Sequence, residues 1–508
     1  MIEIAGFLCY NYIINEFNCK DWRYKMMKFS AAILVLAMLA SLSACGDNAS
    51  VTETTDAQTT PTSTETELSP NLPQIDGGGE TLTMYMREAW VYDMFADEQS
   101  GDTMNDAIYK RNSAVEEQFN VEFAVHTTSG DKYGTGASNA ILAGDDSFDI
   151  VIPFARYVSV YAHENLLLDW NRDLPNVDLD AVWWNQDARS QFTFNDKLFT
   201  AIGDISYDNI GQTMCMMFNK ALFDEYSMEY PYQTVTEGKW TLDRMYEYAA
   251  KVVMDLNGDS VIDAENDRFG YATTSWSGAT QAVYAGGQRV CTKDENGDMQ
   301  LTLNTPQTVD VFEKFFSIVD SEGMGVVASG TVKAEMFEAG RLLFMDNWLY
   351  TTIDLRDMED DFGIIPWPKY DETLDAYYAT VQASCNMITV PVTVKNTELV
   401  SAVIEQLAYL GWRDVVPTYY DVVLKSKYAR DEESPMMIDL IRAGRVFDIG
   451  YFYTASAKIM NQIHSPGHNL TQLADHNFAS FYAKLEAQAL EQIAAINQFY
   501  RDGTKVEE

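Results

Sequence analysis

The chain has 508 residues and is strongly acidic: 35 Lys and Arg stand against 76 Asp and Glu, which gives a formal net charge of −41. Apolar residues make up 47% and charged residues 22%, a globular balance that excludes a collagenous, coiled-coil or largely disordered chain. A surface this negative repels phosphate backbones and anionic lipid headgroups, so we expect no nucleic-acid partner. The length allows about two or three domains.

The N-terminal region has the pattern of a bacterial export signal. Three basic residues within 23–28 precede the apolar run 29–42, which is short for a bilayer span and suits the hydrophobic part of a secretory signal. The run ends in Leu-Ser-Ala-Cys-Gly at 42–46, which resembles the lipobox of bacterial lipoproteins. Residues 1–44 are therefore predicted to be a signal peptide with an upstream extension, and Cys45 the lipidation site. The alternative is a single transmembrane anchor in which Cys45 has no role.

Residues 45–79 are predicted to be a flexible linker behind that lipid. From Gly46 to Gly79 there is no Lys, Arg or aromatic residue, while Thr, Ser, Pro and Asp are frequent. Such a segment cannot bury enough apolar surface to offset the entropy lost on ordering. The signal, lipid and linker together predict a protein anchored at the extracellular face of the cell membrane.

After the linker, strand-like and helix-like segments alternate. Helix patterns include 104–119, and Thr241 and Pro306 suit an N-cap and a first helical turn. The strand patterns cover 81–86, 121–125, 149–153 and 341–345. This alternation predicts βαβ units in an open, mainly parallel sheet, with ligands in the crevice at the carboxyl ends of the strands.

Six short motifs follow one another from about Leu82 to the end of the chain. They are Phe-Asp-Ile-Val at 148–151, Glu-Asn-Leu-Leu-Leu-Asp at 164–169, Phe-Asn-Lys-Ala-Leu-Phe at 218–223, Gly-Lys-Trp-Thr at 238–241, Met-Phe-Glu-Ala-Gly-Arg at 336–341 and Phe-Gly-Ile-Ile-Pro-Trp-Pro at 362–368. In this order they resemble family 1 of the extracellular solute-binding proteins, the lipoprotein receptors of ABC importers. Asn165 replaces the family's usual Gly, and Leu343 replaces a small residue. The segment 434–453 resembles the variant of Gram-positive lipoproteins.

The resemblance implies an α/β fold of the periplasmic-binding-protein-like type II class, with two lobes of parallel-rich sheets joined by a hinge. It implies that lobe one holds 80–207 and 361–420, and that lobe two holds 208–360 and 421–508. A ligand that contacts both lobes only when they are closed shifts the population toward closure. The partners implied are a small uncharged solute and the transmembrane subunits of an ABC permease, and we expect a monomer.

One acidic loop, 255–267, has metal-binding chemistry of its own and resembles an EF-hand-like loop. Calcium takes six to eight hard oxygen ligands, and this spacing wraps oxygen groups around one ion. Ser260 stands at the position of the usual glycine, and the bidentate acid is open among the three residues 265–267. The alternative is a polar turn without an ion. The ligands predicted for a structural calcium ion are Asp255, Asn257, Asp259, the carbonyl of Val261, Asp263 and Asp267.

The family resemblance also places candidate ligand-binding residues. Aromatic rings that stack on sugar C–H faces, with a few polar anchors, are typical of carbohydrate sites. The alternative for each residue is packing in the core or on the surface. The candidates are Trp348, Trp276, Tyr451, Tyr453, Arg156, Gln212, Asp208 and Trp90.

Catalytic motifs do not favour an enzyme. The sequence has no Gly-x-Ser-x-Gly elbow, P-loop or His-Glu-x-x-His. His464 and His468 flank a Pro-Gly pair, which predicts exposed turn histidines rather than a zinc site. We therefore expect a non-enzymatic sugar or oligosaccharide receptor of an ABC importer. The alternatives are the same fold binding a peptide or other solute or serving a sensory partner, and a surface glycosidase.

Overall fold

The computed structural model describes residues 68–129, 136–420, 432–453 and 463–503. The predicted signal peptide, Cys45 and most of the predicted linker lie outside these residues. The described chain from Pro70 onward belongs to one compact unit. Within the described ranges, no helix combines the length and apolar character needed to cross a bilayer.

Strands and helices alternate along the described chain, as the sequence predicts. The strands are β1 Glu80–Arg87, β2 Val121–Thr128, β3 Ile150–Ile152, β4 Met214–Asn219, β5 Phe269–Thr273, β6 Cys291–Lys293, β7 Met299–Leu301, β8 Gly325–Val327, β9 Leu342–Trp348, β10 Phe362–Ile365, β11 Ala379–Thr380 and β12 Arg445–Val446. The α-helices of the described residues are α1 Thr103–Phe119, α2 Gly136–Leu142, α3 Val158–His163, α4 Gln186–Phe192, α5 Asp208–Gly211, α6 Lys220–Glu225, α7 Tyr232–Thr236, α8 Leu242–Val252, α9 Gly278–Ala285, α10 Pro306–Val319, α11 Gly330–Glu338, α12 Thr397–Leu410, α13 Val416–Thr418, α14 Ser434–Ala443, α15 Ile449–Phe452, α16 Pro466–Leu470 and α17 Phe478–Asp502. Three 3₁₀-helical segments cover Glu88–Asp93, Ala155–Tyr157 and Leu349–Asp357, and a π-helical segment covers Gly411–Val415.

The starts of three helices follow from their capping residues. Asp102 accepts the N–H groups of the first turn of α1, and Thr241 does the same for α8. Thr305 caps α10, whose first residue is Pro306. Proline suits that position because a backbone N–H in the first helical turn has no acceptor within the helix, so nothing is lost when proline lacks it. The helix predicted at 104–119 and the two predicted helix starts are confirmed.

The first sheet is parallel throughout, in the order β2-β1-β3. All three residues of β3 are fully buried, which explains the continuous apolar run in the sequence, because a strand covered on both faces has no solvent side. The returning chain adds an antiparallel bridge from Thr389 to Val151 at the sheet edge.

The second sheet is mixed, in the order β10-β4-β9-β5-β8. Strand β5 is parallel to β8 and β9, whereas β4 is antiparallel to β9 and β10. The predicted boundary at 361 places β10 in lobe one. That placement is wrong, because the main chain of β10 pairs with β4 in the second sheet. The other lobe boundaries stay predictions.

The chain passes between the two sheets near 206–213 and again near 379–388, and these passages lie side by side. Thr213 forms an antiparallel bridge with Val381, and the N–H of Gln382 donates to the carbonyl of Gln212 at 2.9 Å. Strand β11 also pairs in parallel with β12 from the C-terminal part. The connections are therefore joined through their main chains, as expected for a hinge between two lobes.

The C-terminal helix α17 contacts residues of both predicted lobes. Its first residue, Phe478, lies 5.3 Å from Phe312 between ring centroids, whereas Tyr500 near its end stacks on Phe194 at 4.6 Å. Residues 421–508 are predicted to lie in lobe two, whereas Phe194 is predicted to lie in lobe one. This helix therefore runs across the predicted division rather than along one side of it.

Candidate ligand-binding cleft

The carboxyl ends of β1 and β3 bring an arginine against two aromatic rings. Arg87, the last residue of β1, is 1% exposed. Its guanidinium carbon lies 4.2 Å from the ring centroid of Trp90 and 5.0 Å from that of Phe154. The same guanidinium donates to the carbonyl of Ser384 and, at 3.2 Å, to the side-chain oxygen of Asn386. Arg87 thus connects the end of β1 to the second passage between the sheets through hydrogen bonds.

Asp208 and Gln212 join this cluster from the first passage. Asp208 Oδ1 accepts from Gln212 Nε2 at 3.1 Å and from the Tyr92 hydroxyl at 3.4 Å, and its Oδ2 accepts the Asn386 N–H at 2.9 Å. The Ser384 hydroxyl donates to Gln212 Oε1 at 3.0 Å. The structure therefore connects three predicted site residues, Trp90, Asp208 and Gln212, through Arg87 and its partners.

A second buried carboxyl, Asp93, lies beside this network. The Ser206 hydroxyl and Asn386 Nδ2 donate to it. Burial raises the pKa of Asp93 to about 7, and the charge of Asp208 acts in the same direction. Burial also raises the pKa of Asp208 to about 6, although the positive charge of Arg87 partly offsets this rise. Protons are therefore bound at these carboxyls in the folded state at pH values where the unfolded chain releases them.

Those shifts predict how stability depends on pH. Because the folded pKa values of Asp93 and Asp208 lie above the unfolded ones, their contribution falls as pH rises through about 4 to 7. Burial lowers the pKa values of buried His163 and half-buried His468 to about 4, so their contribution to stability rises as pH rises from about 4 to about 6.5. Between pH 6.5 and 7.5 we expect denaturant unfolding to give a lower free energy at the higher pH. Asp93→Asn should make that fall smaller, by about 1 kcal/mol or less; an unchanged fall would contradict the assignment.

Trp276 and His468 form the other part of the candidate cleft. Trp276 follows β5, and its ring stacks on the imidazole of His468 with centroids 3.5 Å apart and an interplanar angle of 16°. His468 Nδ1 lies 2.9 Å from the Ser275 hydroxyl. Burial and the nearby charge of Arg156 lower the pKa of His468 to about 4, so its ring is neutral at pH 7. Arg156 follows β3, and its guanidinium carbon lies 4.8 Å from the Phe154 centroid.

The turn that carries Trp276 is fixed by Asp346, a fully buried residue of β9. Its carboxylate accepts from the hydroxyls of Tyr271 at 2.5 Å, Thr273 at 2.7 Å and Ser277 at 2.9 Å. Lys333, 1% exposed, lies 3.1 Å from the same carboxylate. Buried charge is tolerated when paired and hydrogen-bonded, as here. One side chain thereby connects β9, the end of β5 and the turn at 274–277.

The sequence matches the model of a known protein family. The model of the bacterial extracellular solute-binding proteins matches residues 111–434. The chain belongs to this family. No curated protein matches the sequence of this solute-binding protein.

Solved structures show the same fold at low sequence identity. UgpB of Mycobacterium tuberculosis, solved with glycerophosphocholine, is 15% identical with a TM-score of 0.55, over 82% of this chain and 100% of that one. A solute-binding protein of Thermotoga lettingae bound to alpha-D-tagatose is 16% identical with a TM-score of 0.52, over 82% and 100%. An ABC substrate-binding protein of Listeria monocytogenes, in complex with cycloalternan, is 13% identical with a TM-score of 0.51, over 80% and 99%. The fold is therefore the predicted α/β, periplasmic-binding-protein-like type II class.

Three aromatic candidates of this solute-binding protein lie in its hydrophobic core. Trp348 is 6% exposed, Tyr451 3% and Tyr453 6%, and all three belong to the larger buried cluster. The hydroxyls of Tyr453 and of Tyr500 on α17 share a hydrogen bond. Tyr451 stacks on His464 at 5.9 Å. Their role in binding stays a prediction.

The histidine prediction is wrong in its exposure. His464 is 2% exposed and His468 is half-buried, because the segment around α16 packs against α9 instead of projecting into solvent. The hydroxyls of Thr280 and Ser465 lie 2.6 Å apart across that contact. His468, Arg87 and Asp346 are site residues that sequence reasoning missed. Only His468 had a local signal, its place beside a Pro-Gly pair, and that signal favoured a surface turn.

The predicted calcium loop is held by its own main chain in this structure. Asp255 accepts the N–H groups of Gly258 at 2.6 Å and Ser260 at 2.8 Å. Ser260 has φ +67°, so it adopts the left-handed conformation for which glycine is usual. N–H donors lower the pKa of Asp267. In the part of the chain described, no three His, Cys, Asp or Glu side chains converge as a metal site would require. The observed arrangement is not a formed calcium site, and calcium stays a prediction.

Proposed function

We propose that this solute-binding protein captures a sugar or oligosaccharide between its lobes and passes it to the transmembrane subunits of an ABC permease. Lipidation of Cys45 would hold it at the extracellular face of the membrane, and it would leave its ligand chemically unchanged. The observation that carries the proposal is the placement of Trp276 with planar polar groups at the carboxyl ends of strands from both sheets. Aromatic rings and sparse polar anchors in such crevices suit sugar rings and hydroxyls.

The proposed mechanism is closure about the two passages between the sheets. Arg87, Asp208 and Gln212 lie where the passages meet lobe-one strand ends, whereas Trp276 and His468 lie at the end of β5 in the second sheet. Arg87, Asp208 and Gln212 are at most 1% exposed, so the lobe-one contact available to a saccharide is the half-buried Arg156 after β3. A saccharide that touches both Arg156 and Trp276 binds the closed form more tightly than the open form. It therefore shifts the population toward closure.

A thermal-shift screen tests the class of ligand. Mono- and oligosaccharides and, separately, short peptides are added to the mature protein, because a bound ligand stabilises the native state by mass action. We expect at least one saccharide to raise the melting temperature, and Trp276→Ala to reduce that rise. Stabilisation by peptides alone would favour the alternative solute class. Release of reducing sugar, abolished by one carboxylate substitution, would instead indicate a glycosidase.

We also propose a structural calcium ion at the loop 255–267, on the spacing of its oxygen side chains. Removal of the ion should destabilise the fold, because binding free energy contributes to folding free energy. We expect EDTA to lower the melting temperature and excess Ca²⁺ to restore it, with Asp259→Ala abolishing both effects. No shift with EDTA would contradict calcium binding.

A further inference from the structure

Arg156 differs from Arg87, the other cation of the candidate cleft, because among the described residues it has neither an ion-pair partner nor a hydrogen-bond acceptor for its guanidinium, whereas Arg87 donates to Ser384 and Asn386. It is half-buried, its Nε is buried without a hydrogen-bond acceptor, and no carboxylate lies within ion-pair distance among the described residues. Its guanidinium rests instead on the ring of Phe154. In a chain with 76 acidic residues and a net charge of −41, an acidic partner is expected beside a partly buried arginine, and the described part of the chain supplies none.

Three other partly or fully buried cations of this protein have carboxylate partners, whereas buried Arg87 and Lys369 donate to main-chain carbonyls. Arg268 pairs with Glu225 at 2.8 Å, Arg442 with Asp204 at 3.8 Å, and Lys333 with Asp346 at 3.1 Å. A guanidinium presents a planar fork of donors that matches a carboxylate or phosphate, so leaving it unmatched in a partly desolvated position is costly.

The groups around Arg156 do not neutralise it either. His468, whose pKa the Arg156 charge lowers, is neutral at pH 7 and carries no compensating charge. The carboxylate of Asp208 accepts hydrogen bonds from Gln212, Tyr92 and the Asn386 N–H, and it interacts electrostatically with Arg87. Arg156 therefore carries a positive charge that the described residues do not compensate, on the ring of Phe154 and near enough to His468 to lower the pKa of that imidazole.

We propose that the solute is an acidic saccharide, whose anionic group is bound by Arg156 and whose sugar ring lies against Trp276. This rests on the proposed function and departs from an uncharged solute. The shared chemistry is a planar or tetrahedral oxyanion on a sugar, which a uronic acid, a sugar phosphate or a sugar sulfate supplies.

Calorimetric titration of the mature protein with matched probes tests this. The probes are uronate oligosaccharides paired with their methyl esters, which keep the rings and remove the charge, and sugar phosphates and sulfates paired with their parent sugars. We expect one acidic probe to bind at least about tenfold more tightly than its neutral counterpart at low salt, as for hydrogen bonds to charged groups. Added salt should narrow the difference. The pair that shows it identifies the oxyanion.

Two variants test whether Arg156 causes the preference for the acidic probe. Arg156→Gln should bind the acidic probe and its neutral counterpart about equally. Arg172→Gln makes the same charge change at a side chain that is 62% exposed and paired with Asp169 at 3.5 Å, so it should keep the preference. A neutral saccharide that binds as tightly as its acidic counterpart, unaffected by Arg156→Gln, would overturn this inference and leave the proposed function standing. Failure of every saccharide, neutral or acidic, would overturn both.

Discussion

Asp346→Ala is expected to lower the free energy of unfolding by about 3–5 kcal/mol, the cost of breaking a buried ion pair by removing one partner. The carboxylate is fully buried, and its loss leaves the Lys333 ammonium, 1% exposed, without its counter-charge. The hydroxyls of Tyr271, Thr273 and Ser277 lose their acceptor in the same step. Equilibrium unfolding in urea, with wild type alongside, measures the change.

The matched control is Asp243→Ala, which removes a carboxylate paired with Lys314 at 2.8 Å but 68% exposed. Exposed pairs contribute about 0–1 kcal/mol, so this variant should be close to wild type. Similar, small losses for both variants would contradict the role given to Asp346. Asp346→Asn keeps an acceptor oxygen and should lie between the two. It should also weaken saccharide binding, because it loosens the turn that carries Trp276.

The second large effect distinguishes the two tryptophans predicted to stack on the solute. Trp348 is 6% exposed and lies within the larger hydrophobic cluster, so Trp348→Ala should cost about 3–5 kcal/mol of stability, as for large-to-small core substitutions. Truncation of the half-buried Trp276 to alanine should lower the free energy of unfolding much less. Its removal should weaken saccharide binding by about 1–3 kcal/mol if it is an aromatic anchor.

Parallel measurement of urea unfolding and saccharide affinity for the two alanine variants separates these roles. A Trp348→Ala protein of wild-type stability that binds more weakly would place Trp348 in the binding site and contradict its assignment to the core. A Trp276→Ala protein with wild-type affinity would remove the aromatic anchor from the proposed site.

Local sequence patterns predicted the elements well because each depends on neighbouring residues. The apolar run at 149–153 marks a strand buried on both faces, and Thr241 and Pro306 mark helix starts, as the structure confirms. The family resemblance supplied the two-lobed class. Strand β10 was misplaced because strand partnership depends on distant residues: Phe362 pairs with Asn219, far away in sequence.

The candidate site was predictable only in part. Trp276, Arg156, Asp208 and Gln212 follow strands or precede a crossing, a position that sequence can recognise. The contact of Trp276 with His468 joins residues 192 positions apart, and no local pattern encodes such a pairing. The burial of Trp348 likewise depends on packing from several elements, which its place at the end of a strand does not reveal.

Small-angle X-ray scattering of the mature protein, with and without a saccharide that raises its melting temperature, tests most directly whether the lobes close on a sugar. We predict a smaller radius of gyration with the saccharide, and no such change for Trp276→Ala at the same concentration. Dimensions that stay the same while the saccharide is demonstrably bound would contradict capture by closure.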